Sequence, residues 1–260
     1  MTLEAVRAAP RRAADAPHPV FVRSFEYPQG YPGFAHRHRL AQIAYPLRGA
    51  VTVETEAGTW SVTTPSAVAI PAWCRHRVAA HGNASLRSVF VDPDVYPDLV
   101  PALTTLRIST LLHELIREAG RYYTDFDEGD AVALAVVTLI AQLVPAMEIA
   151  PRSTFVPGVE HPLLVPAAAA VHADPAAPAR VEQFARAAGV SPRHFSRLFK
   201  AETGVSFTTW RALVQVQHAL VQLARGESVT RVGMDLGYSS TSAFIEMFKR
   251  HTGRTPGQSA

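Results

Sequence analysis

Cysteine is almost missing from this sequence: Cys74 is the single one in 260 residues. No internal disulfide can form, which excludes the small disulfide-stapled secreted scaffolds and suits a reducing cytoplasm. Runs of apolar residues are short, and nowhere do about 18 follow one another without a charge, so no segment is built to span a bilayer as a helix. The N-terminus has no apolar stretch of the kind a secretory signal needs, and Glu4 and Asp15 break the acid-poor composition of an organelle-targeting peptide. Residues 1–19, rich in Ala, Arg and Pro, therefore read as a disordered tail. Charged residues make up only 18% and hydrophobic ones 48%, which excludes a disordered polyelectrolyte and fits a globular chain of one large or two ordinary domains.

The net charge of +3 conceals an asymmetry. From Arg180 to the end there are 11 Arg and Lys against 5 Asp and Glu, a net of +6, whereas the first 179 residues carry 14 against 17. Basic charge gathered in one terminal segment is the footprint of a phosphate-binding module, although solvated helix surfaces can also be basic.

Between Val20 and Val91 the chain reads as short strands. Val51, Val53 and Thr55 alternate with Thr52 and Glu54; Glu56-Ala57-Gly58 then turns the chain into Thr59-Trp60-Ser61-Val62. Further runs at Ala67–Ile70, Arg77–Ala79 and Leu86–Val91 complete the pattern of a β-sandwich or barrel over residues 20–100. The period then changes. Leu103, Leu106, Leu111, Leu112, Leu115 and Ile116 recur at helical intervals, followed by Tyr122 and Tyr123, and a second apolar helix runs from about Asp130 to Val144, stopped by Pro145. These helices, over 101–148, either pad the barrel or present a face to a second subunit. Pro151, Ser153, Pro157 and Gly158 mark a linker over 149–161, and from 162 to 260 the chain is helical.

The helical part contains a repeat. Residues Val181 to Phe207 recur about 48 positions later, from Val229 to Pro256. Gly189 returns as Gly237; Phe195, Leu198, Phe199, Lys200, Thr203 and Gly204 return as Phe244, Met247, Phe248, Lys249, Thr252 and Gly253, with one extra residue in the second turn near Ser239. Each copy, about 180–202 and 228–252, reads as a short helix, a tight turn and a second helix. Gly189 accepts the left-handed backbone that ends a helix. Ser191 caps the next helix, and Pro192 takes its first position, where a missing N–H costs nothing. Phe195, Leu198 and Phe199 turn inward and leave Arg193, Ser196, Arg197 and Lys200 outward, the layout of a helix that offers side chains to a major groove. A connecting helix from about Ser206 to Ala224 is roughly 28 Å long, enough to set two such helices about one DNA turn apart. The plainer reading is a helical bundle whose repeat reflects packing alone.

The string from Ala188 to Lys200 resembles the first helix-turn-helix of the AraC-type (AraC/XylS) regulators. Asp235-Leu236-Gly237-Tyr238-Ser239-Ser240, Ala243-Phe244 and Phe248-Lys249-Arg250, with Gly253 and Thr255-Pro256, resemble that family's C-terminal signature. The resemblance implies that Arg193, Ser196 and Arg197 read bases in the first unit and Ser242, Ile245 and Glu246 in the second, with Ser191, Lys200, Ser240, Lys249 and Arg250 supporting the grip. The implied partners are double-stranded DNA and RNA polymerase. Glu246 departs from the family's usual basic or neutral residue; a carboxylate there can accept from a cytosine amino group, but near phosphates it is unfavourable.

His36 and His38 are two residues apart, so on one strand both point to the same face. Gly30 stands six residues before His36, Gln42 four after His38, Gly49 seven after that, and Pro71 five before His76. This spacing resembles the two cupin motifs, which bring histidines and a carboxylate to a metal inside a small β-barrel. Here Gln42 replaces the usual Glu, lowering charge and affinity. His36, His38, His76 and Gln42 are thus candidate ligands for Zn, Ni or Fe, with Cys74 as a candidate extra thiolate. Alternatively the histidines line a pocket and hydrogen-bond an effector, with Tyr45, Trp60 and Trp73 as candidate walls. The expected fold is α+β: a cupin-like β-barrel, central helices, and an all-α domain with two helix-turn-helix units joined by a helix.

The expected function is a cytoplasmic, homodimeric transcription regulator that answers a small molecule or metal and has no catalytic residues. The alternatives are a metal-dependent cupin enzyme, an oxygenase or isomerase, which would have no use for the doubled DNA-reading module, and a metal-binding protein that never touches DNA.

Overall fold

The computed structural model of the chain describes residues 18–121, 131–150 and 154–258. The tail read at 1–17, the tyrosines Tyr122 and Tyr123, and the linker residues Pro151 and Ser153 lie outside the described residues. The chain divides into two units, Met1–Thr55 with Val62–Arg152, and Glu56–Ser61 with Ser153–Ala260.

The first unit is built on an antiparallel sheet. Its strands are β1 (Val20–Tyr27), β2 (Ala41–Thr55), β4 (Ser66–Ile70), β5 (Arg77–Val91), β6 (Thr104–Arg107) and β7 (Glu148–Ile149), in the order β1-β5-β2-β4-β6-β7. β5 is the hub: Val91 opposes both Val20 of β1 and Ala41 of β2, and 15 residues of β5 run without a break through the two short strands that the sequence pattern separates. β2 keeps register with β5 only by two irregularities between Pro46 and Ala50. The period of two then divides the side chains. Val20, Val22, Ala41, Ile43, Tyr45, Val89 and Val91 share one face, which packs on Leu112, Ile116 and Ala119 of helix α1 (Thr110–Ala119) and on Val137, Ile140 and Ala141 of helix α2 (Ala131–Leu143). The residues between them, among them Arg23, Phe25, Gln42, Ser88 and Phe90, take the other face, where a cavity lies.

Two expectations need correction. Leu106, assigned to a helix by its spacing, sits in β6, and the sheet takes two strands from the segment 101–148. The β-branched pair Thr104-Thr105 favours extended backbone, and helix α1 begins only where Ser109 caps it, its side chain accepting from Leu112 N–H. His36 and His38 do not lie on a strand either; His36 makes one isolated bridge to His76. At Pro145 the expectation holds, for α2 ends at Leu143 and the proline opens a short 3-10 turn.

The second unit holds β3 (from Gly58), β8 (Phe155–Pro157) and helices α3 (Val165–Ala173), α4 (Val181–Ala187), α5 (Pro192–Thr203), α6 (Phe207–Ala224), α7 (Val229–Asp235) and α8 (Thr241–Thr252). Gly58, Thr59 and Trp60 pair antiparallel with Pro157, Val156 and Phe155, and Trp60 stacks on Phe155 at 4.2 Å. There are two cores rather than one. Phe195, Phe199, Phe207, Trp210, Leu213 and Val214 belong to the first; Val216, Ala219, Leu220, Leu223, Val232, Phe244 and Phe248 belong to the second. Helix α6 serves both, its N-terminal half feeding one and its C-terminal half the other.

Candidate functional site

The sequence repeat becomes a repeat of hydrogen bonds. Helices α4 and α7 each have seven residues, and α5 and α8 each have twelve. After α4, Val190 N–H donates to Ala185 carbonyl; after α7, Tyr238 N–H donates to Gly233 carbonyl, closing the same helix-ending loop around Gly189 (φ 70°) and Gly237 (φ 80°). Ser191 Oγ accepts from His194 N–H and Ser240 Oγ from Ala243 N–H, each worth about 1 kcal/mol to its helix. Thr203 Oγ1 donates to the Phe199 carbonyl as Thr252 Oγ1 donates to that of Phe248. Ala185 is fully buried, and a Cβ on its counterpart Gly233 would stand 3.1 Å from Phe244 Cβ, a contact tight enough to favour glycine there.

This scaffold turns the phenylalanines inward and the polar side chains out. Phe195, Phe199, Phe244 and Phe248 are fully buried, while Ser191, Arg193, Ser196, Arg197 and Lys200 are exposed on α5. On α8 and at its cap, Ser240, Ser242, Glu246, Lys249 and Arg250 are exposed and Ile245 is half-buried. All the residues assigned to DNA contact by resemblance therefore fall on or at the start of the second helix of a copy. Exposed cations on such a face match a major groove and its phosphates.

Two residues of α6 that the sequence reading did not single out brace the copies. Gln215, at the middle of α6 and 4% exposed, donates to the carbonyls of Pro175 (2.8 Å) and Leu236 (3.4 Å) and accepts from Tyr238 Oη (2.8 Å). Arg211, one turn earlier, donates to the carbonyls of Pro175 and Ala177. Gln215 thus ties the turn of the second copy to the segment that leads into the first. A glutamine within an apolar helix was the only signal for it.

On the cavity side of the first unit, three imidazoles converge. One ring nitrogen from each of His36, His38 and His76 lies within 4.8 Å of the others. Their backbones are set by the His36–His76 bridge, 2.9 Å in both directions, and by Trp73 N–H donating to the His38 carbonyl at 2.8 Å. Each Nδ1 faces a carbonyl oxygen: Phe34 for His36 (3.0 Å), Leu40 for His38 (2.7 Å) and Cys74 for His76 (2.9 Å). A carbonyl only accepts, so every Nδ1 carries the proton and every Nε2 presents a lone pair. Burial pulls His76 down to about 4 and lowers His38 as well, keeping both neutral. His76 Nε2 is buried with no hydrogen-bond partner among the described residues. Gln42 bonds Ser88 Oγ through its amide nitrogen (2.8 Å) and sets Oε1 3.2 Å from His38 Nε2. Three imidazole nitrogens converging beside this amide are a donor set that fits a divalent metal of borderline softness.

The three aromatic walls expected from the sequence do not line this cavity. Tyr45 is three residues from Gln42, and the period of two sends it to the opposite face, where its hydroxyl meets His113 Nδ1 at 2.7 Å. Trp60 belongs to the second unit, and Trp73 is 61% exposed in a loop at φ 62°. The rings that do line it are Phe25, Tyr27, Tyr31, Phe34 and Phe90. Cys74 offers its carbonyl to His76 and its thiol lies outside the histidine cluster.

Comparison with known proteins identifies a domain in each half of the chain. Residues 184–259 match the family described as a helix-turn-helix domain, and residues 18–144 match the AraC-like ligand binding domain. Over 223 residues the chain is 31% identical to the HTH-type transcriptional regulator NimR of Escherichia coli (strain K12), an alignment spanning 86% of this chain and 80% of that protein. The chain belongs to the AraC-type transcription regulators. RipA of Corynebacterium glutamicum, another HTH-type regulator, is 41% identical over 83 residues, 32% of this chain and 25% of RipA. Among solved structures, an AraC-type transcriptional regulator from Chromobacterium violaceum is 26% identical, covering 38% of this chain and 88% of its own, with a TM-score of 0.36. As an AraC-type regulator, the protein combines a helix-turn-helix DNA-binding domain with a ligand-binding domain. Among the described residues no helix is long and apolar enough to cross a membrane.

Proposed function

We propose that α5 and α8 enter successive major grooves of double-stranded DNA, and that the histidine-lined cavity holds a small-molecule or metal effector that alters this grip. In this reading Arg193, Ser196 and Arg197 read bases from α5, Ser242, Ile245 and Glu246 face bases from α8, and Lys200, Lys249 and Arg250, with the caps Ser191 and Ser240, hold phosphates. His36, His38 and His76, with Gln42 Oε1, would hold a divalent metal through the nitrogens left unprotonated by the three backbone carbonyls. The metal would supply an electrophilic centre for the effector. It is a sensor's ligand and not a catalyst, so the protein has no enzymatic activity.

The observation that carries this reading is the duplicated scaffold, alike down to its caps, with polar and basic side chains turned outward in both copies. An effector changes DNA binding only if it binds two states of the protein unequally. A homodimer supplies two such states: α2 carries no charged residue and leaves Val132, Leu134 and Leu139 exposed, a surface that suits a second copy of the chain. The regulator works in the cytoplasm, where it meets DNA and RNA polymerase.

A gel shift on the gene's own upstream region tests the core of this. Binding should weaken steeply with salt, and Arg197→Ala combined with Lys200→Ala should abolish it at physiological ionic strength. Full affinity in the double variant would overturn the reading.

A further inference from the structure

The first unit carries a ligand-binding domain, and size separates two of its cavities. The one beside the histidines measures about 30 Å³, room for an ion or a very small molecule. A second, of about 340 Å³, opens where helices α1 and α2 meet strands β6 and β7. An apolar cavity of about 150 Å³ already takes up benzene, and sites for organic ligands start at about 300 Å³. By volume the second cavity is the one that admits an organic molecule.

Its walls are apolar. Leu112 is 1% exposed and belongs to the core between the sheet and the two helices, so the cavity reaches inward and is not a shallow groove on one helix face. Leu143, Ala146 and Met147 come from the end of α2 and the turn that follows it. The methionine thioether adapts to the shape of what it packs against. The rim is polar and balanced. Arg107 Nε faces Glu148 Oε2 at 3.7 Å, so neither charge is left for a ligand to neutralise. Ser109 Oγ accepts from Leu112 N–H and keeps its own hydrogen to donate, while the carboxylate of Glu148 has lone pairs to spare. A charged ligand would lose hydration against the leucines with no unpaired opposite charge to offset the loss.

We infer that this cavity is a second ligand site, separate from the histidine cluster, for a small uncharged molecule with an apolar body and one or two hydrogen-bonding groups. The body lies against Leu112, Leu143 and Met147, and the polar end meets Ser109 and Glu148. The site does not depend on metal at the histidines.

Met147 supplies the test. The chain has four methionines, Met1, Met147, Met234 and Met247, and of these Met147 alone lines the cavity. Full-length protein labelled at the methionine methyl carbons is titrated with indole and followed by NMR, with Met147→Leu identifying the reporter signal. Met147 should shift saturably while Met234 and Met247, both in the second unit, stay in place. The anionic indoleacetate and the cationic tryptamine should bind about tenfold more weakly than indole. Ala146→Trp fills the cavity from an exposed wall position; it should leave the Met234 and Met247 signals unchanged and weaken indole about tenfold. An unmoved Met147, equal shifts at Met234 and Met247, or undiminished indole binding in Ala146→Trp overturns the site. A Met147 signal that moves with protein concentration alone gives the cavity to a second copy of the chain and overturns it too. Tighter binding of either charged analogue than of indole overturns the uncharged class.

Discussion

On α5 the outward residues are Arg193, Ser196, Arg197 and Lys200; at the equivalent places on α8 stand Ser242, Ile245, Glu246 and Lys249, with Arg250 beyond. The two helices have the same length, the same kind of serine cap, the same buried pair of phenylalanines and the same left-handed glycine at the end (φ 75° and 74°). On the groove face two arginines are replaced by a serine and a carboxylate. A helix-turn-helix is therefore specified by its inward residues and leaves its outward ones free to vary, so one scaffold yields a strongly basic reader and a nearly neutral one. We expect the first copy to supply most of the specific affinity and the second mainly to fix register.

The largest effect should come from breaking one core and sparing the other. Phe248→Ala removes a fully buried ring from the second cluster and should cost about 3–5 kcal/mol. Hydrogen exchange should then show lost protection over α7 and α8 with α4 and α5 still protected; uniform loss would mean the two cores melt as one. Next comes the tie between the copies. Gln215→Leu keeps the bulk but orphans Tyr238 Oη and the Leu236 carbonyl, at about 1–3 kcal/mol. Binding to single half-sites should survive while the preference for one spacing between them fades, read by competition with DNAs of altered spacing. An unchanged spacing preference would show that α6 alone sets the pitch.

Arg197→Ala should cost about 1–3 kcal/mol and relax discrimination at one base pair if the contact is bidentate. Its partner in the comparison is Glu246→Gln, for which we expect the smallest change: slightly tighter binding to cognate and scrambled DNA alike, because a carboxylate near phosphates is removed. If Glu246→Gln instead lost discrimination at a C·G pair, the second copy would be a reader in its own right.

Much of the second unit was legible in the sequence because its determinants are local. A serine cap, a proline at the first helical position and a glycine in the left-handed region each act within four residues of themselves. The convergence of His36, His38 and His76 was legible from spacing, although it arises from a single bridge and three carbonyl contacts rather than from a strand. Tyr45 lies away from the cavity because it is an odd number of residues from Gln42 on the same strand. Leu106 went to the wrong element because a three-residue interval between leucines occurs in strands as readily as in helices. The partners of Gln215 were not legible, since they are 21 to 40 residues away.

By itself the sequence determined that two like helix-turn-helix copies exist, which of their faces is apolar and that three histidines are available as ligands. These follow from periodicity and capping, which depend on neighbours along the chain. Only the tertiary structure decided which face of the sheet bears the cavity, which nitrogen of each imidazole is left unprotonated, and what ties one helix pair to the other. Those depend on strand register and on hydrogen bonds between distant segments, for which no short stretch of sequence carries the information.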